Sequence, residues 1–196
     1  NKKVMQTLQD RYMSGGAYRK EKSLLEMTLL MEGVEGGYFE LFKLLLDYGA
    51  DPYQRMCYFE ETIMHFLMQR SSNYVTDNDR IKYLEELDRR GLLQIESTTN
   101  NGATALLYAA GKCRTGLVAY LLGKGANPNA IGGFDQSTAL NRAISNFNWV
   151  AKEDRAATVK LLIEGGADIE FIDNDGYSPL MAAAAFGCYT AAEELI

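Results

Sequence analysis

His65 is the one histidine in the chain and the first residue to test for acid–base or nucleophilic chemistry. Such chemistry needs the imidazole beside a nucleophile and an orienting acid. Around a single His, no spacing here signals that arrangement. The acidic runs "TDNDR" (Thr76–Arg80) and "IDNDG" (Ile172–Gly176) suggest calcium ligands instead. A calcium loop requires Gly at its sixth position and Glu at its twelfth. Counting from Asp77 gives Lys82 and Asp88, and counting from Asp173 gives Ser178 and Ala184, so neither run qualifies. The glycines of "GKGANPNAIGG" lack the preceding strand and the following Lys-Ser/Thr of a phosphate loop. Cys57, Cys113 and Cys188 are odd in number, widely spaced and free of Cys-x-x-Cys. That argues against a disulfide framework or a zinc site and for a reducing, cytoplasmic compartment. Paired carboxylates such as Glu85-Glu86 read as a solvated helix face, and the eight Met as core filler. No catalytic residue, metal ligand or cofactor site emerges, and the chain reads as no enzyme.

The elements around these residues must therefore serve something other than catalysis. The 196 residues, 47% apolar and 23% charged, fit an ordinary soluble protein long enough for a substantial core. No apolar run approaches the roughly 18 residues that span a bilayer, so membrane insertion is not expected. No signal-peptide pattern opens the chain, and with no initiator Met, Asn1 reads as a boundary within a longer protein. The net charge of −6 is uneven. Residues 1–22 hold six Lys/Arg against two Asp/Glu, leaving fourteen against twenty-four elsewhere. So acidic a body argues against binding the phosphate backbone of nucleic acid.

Internal repeats organise the rest. "GGYFELFKLLLDYGADPYQ" from Gly36 aligns with "CRTGLVAYLLGKGANPNA" from Cys113, and "ATVKLLIEGGADIE" from Ala157 repeats their ending. Each is an apolar stripe at helical spacing closed by Gly, the expected left-handed residue after a helix. Upstream of each closing helix stands a shorter one opened by Thr28, Thr62, Thr104, Thr138 or Ser178, whose hydroxyls can cap free N–H groups. Pro179 sits where a first-turn Pro is tolerated.

On "NGATALLYAAGKCRTGLVAYLLGKGANPNA" and "DNDGYSPLMAAAAFG" the chain resembles the ankyrin repeat family. The resemblance runs from about Ser23 to Ile196 and implies an all-α solenoid of stacked helix-turn-helix units with finger-like turns. Five repeats are expected at about 23–55, 56–97, 98–131, 132–172 and 173–196, the last truncated. Residues 1–22, with Val4, Leu8 and Tyr12 at helical spacing, form an expected N-terminal helical cap. Ile196 falls short of the final closing Gly, so further sequence and flanking domains are expected. The first two repeats depart from the pattern, with Glu26 and Glu60 in place of the finger Gly; Ser23-Leu-Leu-Glu26 reads instead as a capping box. By the family pattern His65 braces neighbouring turns. Asn129 in "GANPNA" matches an Asn that asparaginyl hydroxylases modify in some ankyrin proteins, against the plainer role of a hydrogen-bonding turn.

From opening Thr to closing Gly, repeats one and three take 21 residues, whereas repeats two and four take 29 and 28. The surplus holds two similar phrases, "SNYVTDNDR" (Ser72–Arg80) and "SNFNWVAKEDR" (Ser145–Arg155), with Asp79 and Asp154 expected as N-caps. Insertions on one face of a solenoid often bind partners, the plainer alternative being solvent loops or helix extensions that pad the edge; the second carries Phe147 and the only Trp, Trp149. The family resemblance implies a protein or peptide partner on the concave surface of finger tips and first helices. By register that surface offers Tyr58, Phe59, Gln69, Arg70, Asn100, Asn101, Lys112, Phe134, Asp135, Asn146, Tyr177 and Phe186. Aromatics and Arg carry disproportionate binding energy. The function expected is a protein-interaction module or scaffold. The alternative is the targeting portion of a longer enzyme or of a pathogen effector working in host cytoplasm, whose irregular repeats these resemble.

Overall fold

A computed structural model describes residues 29–55, 60–69, 75–145 and 152–196. The proposed N-terminal cap and the Ser23–Glu26 capping box lie outside them. So do Cys57, Tyr58, Phe59, Arg70, Asn146, Phe147, Trp149 and most of both long turns.

The described chain runs as alternating helices. They are α1 (29–35), α2 (Phe39–Asp47), α3 (Ile63–Gln69), α4 (Asp77–Arg89) and α5 (Ala105–Gly111). After them come α6 (Thr115–Gly123), α7 (Ala139–Ser145), α8 (Lys152–Glu164), α9 (Pro179–Ala185) and α10 (Tyr189–Leu195). The odd-numbered α3, α5, α7 and α9 pack in sequence as one layer, and the even-numbered α4, α6, α8 and α10 as a second. Each helix therefore buries its apolar stripe on two neighbours, which is why a single pair could not stand alone. Phe42, Tyr83, Leu87, Leu117, Leu121, Val159 and Leu162 make the core between second helices. The Tyr83 ring meets Phe39 and Phe42 edge-on at 5.2 and 5.0 Å, and its hydroxyl donates to the Gly33 carbonyl (3.1 Å), fastening α4 to α1 and α2.

The local signals act as their chemistry dictates. Thr104, Thr138 and Ser178 accept hydrogen bonds from the backbone N–H three residues on, and Pro179 occupies the first turn. Gly49, Gly91, Gly125 and Gly166 take φ between 69° and 88°, which side chains resist. The residue after each donates to a carbonyl five back, as Ala50 does to Leu45 (3.0 Å). The same left-handed conformation recurs two residues before the opening Thr or Ser in the fingers. There Gly102 and Gly176 take it without strain, while Glu60 (φ 53°) and Gln136 (φ 46°) are held in it by their surroundings. At position 60 the missing Gly therefore adds strain while the residue keeps the left-handed conformation.

The repeated phrases have a structural explanation that differs from the N-cap expectation. α4 and α8 are 13 residues long against 9 for α2 and α6, so four of the surplus residues in each are an extra helical turn. Thr76, not Asp79, caps α4; Asp79 is the reciprocal partner of a capping box, its carboxylate accepting from Thr76 N–H (3.1 Å) and Oγ1 (2.7 Å). Asp154 lies inside the first turn of α8. The Arg that ends each phrase is buried: Arg80 Nη1 donates to the Leu67 carbonyl (2.8 Å), and Arg155 Nη1 to Cys188 Sγ (3.4 Å). Arg114, in the same register eleven residues before its closing Gly, pairs with Asp77. Burial and the neighbouring Arg114 charge push Arg80 down to about 10.

Glu86 likewise departs from the solvated reading. It is buried between Arg89 (2.7 Å) and Arg90 (2.6 Å), which outweigh desolvation and hold it down to about 2. Arg90 also reaches Asp47 of α2 (2.7 Å), while Lys124 of α6 reaches Asp88 of α4 (2.6 Å). The second-helix layer is thus tied across three neighbouring helices at its edge.

Candidate functional site

The fingers stack by backbone contact. Gly133 N–H donates to the Asn101 carbonyl (2.9 Å), and Asn174 N–H to the Asp135 carbonyl (3.3 Å). Side chains at the first-helix openings add a second set of bridges. Thr62 N–H donates to His65 Nδ1 (3.1 Å), so the opposite nitrogen carries the proton and donates to the Ala103 carbonyl in the next finger (3.1 Å). Asn141 occupies the same place after Thr138: its Oδ1 accepts from Thr138 Oγ1 (3.2 Å), and its Nδ2 donates to the Tyr177 carbonyl (3.2 Å). His65 is fully enclosed, and that burial pushes its imidazole down to about 4. With both nitrogens engaged in bracing, His65 offers no base to a substrate.

On this frame the first helices and fingers form a trough of two adjoining depressions. One, of about 380 Å³, is lined by Gly111, Phe134, Asp135, Arg142 and Ser145. The other, of about 330 Å³, is lined by Gln69, Leu107, Tyr108, Gly111, Lys112 and Arg142. Gly111 and Arg142 belong to both. Gly111 stands seven residues after Thr104, where Gln69 and Ser145 stand in the flanking helices. Its missing side chain lowers the floor between them.

Arg142 stands at the junction of the two depressions. Its Nε donates to Ser137 Oγ (3.1 Å) and its Nη2 to Asp135 Oδ1 (2.7 Å). Burial pushes the Asp135 carboxyl up, but Arg142 and Ser137 more than offset this and leave it below the usual range. The Phe134 ring, on the finger above, is 83% exposed. At the other end, Tyr108 Oη donates to Glu61 Oε1 (3.2 Å), an oxygen that also accepts from Gln69 Nε2. Burial and the Glu61 charge raise the Tyr108 hydroxyl above its ordinary value. Nothing in this arrangement places a nucleophile beside a base. It offers shape, a ring, cations and fixed polar groups.

A family model of ankyrin repeats, three copies, matches residues 30–132. The chain belongs to the ankyrin repeat family. Helices α7 to α10 lie beyond that match yet continue the same two layers, so the ankyrin architecture extends through them. The array is also similar to Protein glp-1 of Caenorhabditis elegans, at 27% identity over 190 residues. That match covers 94% of this chain and 14% of the length of that relative.

The ankyrin geometry sorts the residues singled out from sequence. Gln69, Lys112, Phe134 and Asp135 line the trough. Asn100 is exposed on its finger, whereas Asn101 Oδ1 accepts from Thr99 Oγ1 (2.6 Å) within the turn. Tyr177 and Phe186 form a separate ring pair, centroids 6.5 Å apart, between the last finger and the end of α9. Asn129 spans to the following turn: its Nδ2 donates to the Gly166 carbonyl (2.9 Å) and its Oδ1 accepts from Asp168 N–H (2.7 Å). Both amide ends thus already hold the array together. Tyr108 and Arg142, four residues after Thr104 and Thr138, escaped the register count that picked Lys112, as did Gly111 and Ser145. Counting four from the opening Thr, and applying to every repeat the count of seven that picked Gln69, would have found them. Among the described residues no cluster of His, Cys, Asp or Glu could hold a metal ion, and no helix is long and apolar enough to cross a membrane.

Proposed function

We propose that this array is a non-catalytic binding module that holds an extended protein segment in the trough between its fingers and first helices. The observation that carries the reading is the pair of depressions joined at Gly111 and Arg142 beneath an exposed Phe134 ring. A ring so largely exposed at such a place is the kind of residue that dominates interface energetics once covered. Arg142 adds a guanidinium already fixed by Asp135 and Ser137, so a guest need not bear the cost of ordering it.

Phe134→Asp tests the reading. With 83% of the residue exposed, circular dichroism and the melting temperature are expected to stay close to those of the parent chain. Partner retention in affinity capture is expected to drop roughly 30-fold, the equivalent of about 2 kcal/mol at a hot spot. Undiminished capture of every partner by the folded variant would remove the trough as the binding face.

A further inference from the structure

We infer that the guest of the trough is an acidic peptide segment, with an Asp or Glu about three residues from a large apolar side chain. This rests on the trough being the binding face and adds the chemistry of what it binds.

The two depressions differ in character. The one between α3 and α5 is bordered by the Lys112 ammonium and the Arg142 guanidinium, and no carboxylate lines it among the described residues. Glu61 behind it is buried and holds the Tyr108 hydroxyl and Gln69 amide on one oxygen, and Asp135 pairs with the far side of the Arg142 guanidinium. Asp135 and Ser137 occupy Nη2 and Nε of Arg142, which leaves Nη1 to donate to a guest oxygen beside Lys112. Two cations converging on a pocket favour a carboxylate, and a charge-assisted bond to a pre-oriented guanidinium is the strong kind. The depression between α5 and α7 offers the exposed Phe134 ring over Gly111, a place for apolar bulk. Neighbouring packed helices stand about 8–10 Å apart, and extended backbone advances about 3.3 Å per residue. One depression to the next is therefore about three residues.

The surroundings sharpen the preference. Beyond residue 22 the chain carries fourteen Lys/Arg against twenty-four Asp/Glu. A basic segment would be attracted all over such a surface and selected nowhere. An acidic one is repelled generally and held where Lys112 and Arg142 face it, which gives specificity through the rejected alternatives.

The test is selection of a random linear-peptide library on the folded 196-residue chain, followed by fluorescence-anisotropy titration of the enriched sequences. Enrichment of Asp or Glu about three positions from Phe, Leu or Trp is expected, with affinity falling as salt is raised. Lys112→Glu is expected to weaken such peptides at least about tenfold, and replacing their acid with Lys to restore binding to that variant. Peptides that lose binding on Phe134→Asp but carry no acidic residue, or ignore Lys112→Glu, would overturn the inference and leave the trough as the site. Peptides indifferent to both substitutions, or no enrichment at all, would overturn the trough reading and the inference together.

Discussion

Lowering the pH from about 6.5 to about 4 is expected to remove about 3 kcal/mol of folding stability through His65 alone. In the unfolded chain this imidazole takes a proton below its ordinary value of 6.5; in the fold it resists until about 4. Between those values the unfolded state binds more protons, so stability is fully present above 6.5 and is lost as pH falls. The cause is geometric. Protonation would place a hydrogen on Nδ1, which now accepts from Thr62 N–H, and would charge a ring that no water reaches. The acidic groups act lower. Asp79, held by Lys82 and Thr76, and Glu86, held by Arg89 and Arg90, both lie near 2 in the fold. Their contributions are kept down to their ordinary values of 3.8 and 4.5, and are lost only below them. Urea unfolding at a series of pH values separates the windows. His65→Asn is the informative variant, because Asn141 already performs the same bridge to the next finger without titrating. That variant is expected to flatten the profile between 6.5 and about 4.5 while the steeper acid limb below remains. An unchanged slope in His65→Asn would show that another group is responsible.

The equivalence of His65 and Asn141 marks the limit of what pattern reading reached. Thr-x-x-His is visible as a motif, whereas Thr138-Ala-Leu-Asn141 shows only the opening Thr. The bridging role of Asn141 depends on a carbonyl 36 residues away. Helix order, closing Gly residues and opening Thr caps were legible because each is set by local conformation and short-range hydrogen bonds. The trough was only half legible. Lys112 and Gln69 sit at the ends of first helices, where exposure follows from register. Tyr108 and Arg142 sit a turn earlier, where side chains are normally covered, and both are half-buried in the wall of the trough. Asp79 was misplaced for a related reason: an acidic residue early in a helix reads equally well as cap or as capping-box partner. Only the position of Thr76 decides between them. The extra turns of α4 and α8 stayed one alternative among loop, helix extension and binding insertion, since polar helix and polar loop share a composition.

A close approach between two fingers gives the sharpest structural prediction, Gly132→Ala. Gly132 does not owe its identity to backbone conformation; it lies against the previous finger. A Cβ there would stand 2.2 Å from the Gly102 carbonyl oxygen and 2.7 Å from the Ala103 nitrogen, both backbone atoms with no rotamer to yield. One finger must move, and the Gly133-to-Asn101 hydrogen bond is the first to break. The expected cost is about 3 kcal/mol, a fall in melting temperature of roughly 6–12 °C for a domain of this size. Gly123→Ala is the matched control. Nothing lies within 4 Å of a Cβ at that position, on the last turn of α6, and a helical Gly replaced by Ala is expected to gain up to about 1 kcal/mol. The same displacement would carry Phe134 and Asp135 out of register with Arg142. Peptide affinity for the trough is therefore expected to fall in Gly132→Ala even at temperatures where the chain stays folded, and to hold in Gly123→Ala. A Gly132→Ala chain that melts with the parent would mean that the fingers stand further apart, and the trough would then be wider than a single extended segment can fill.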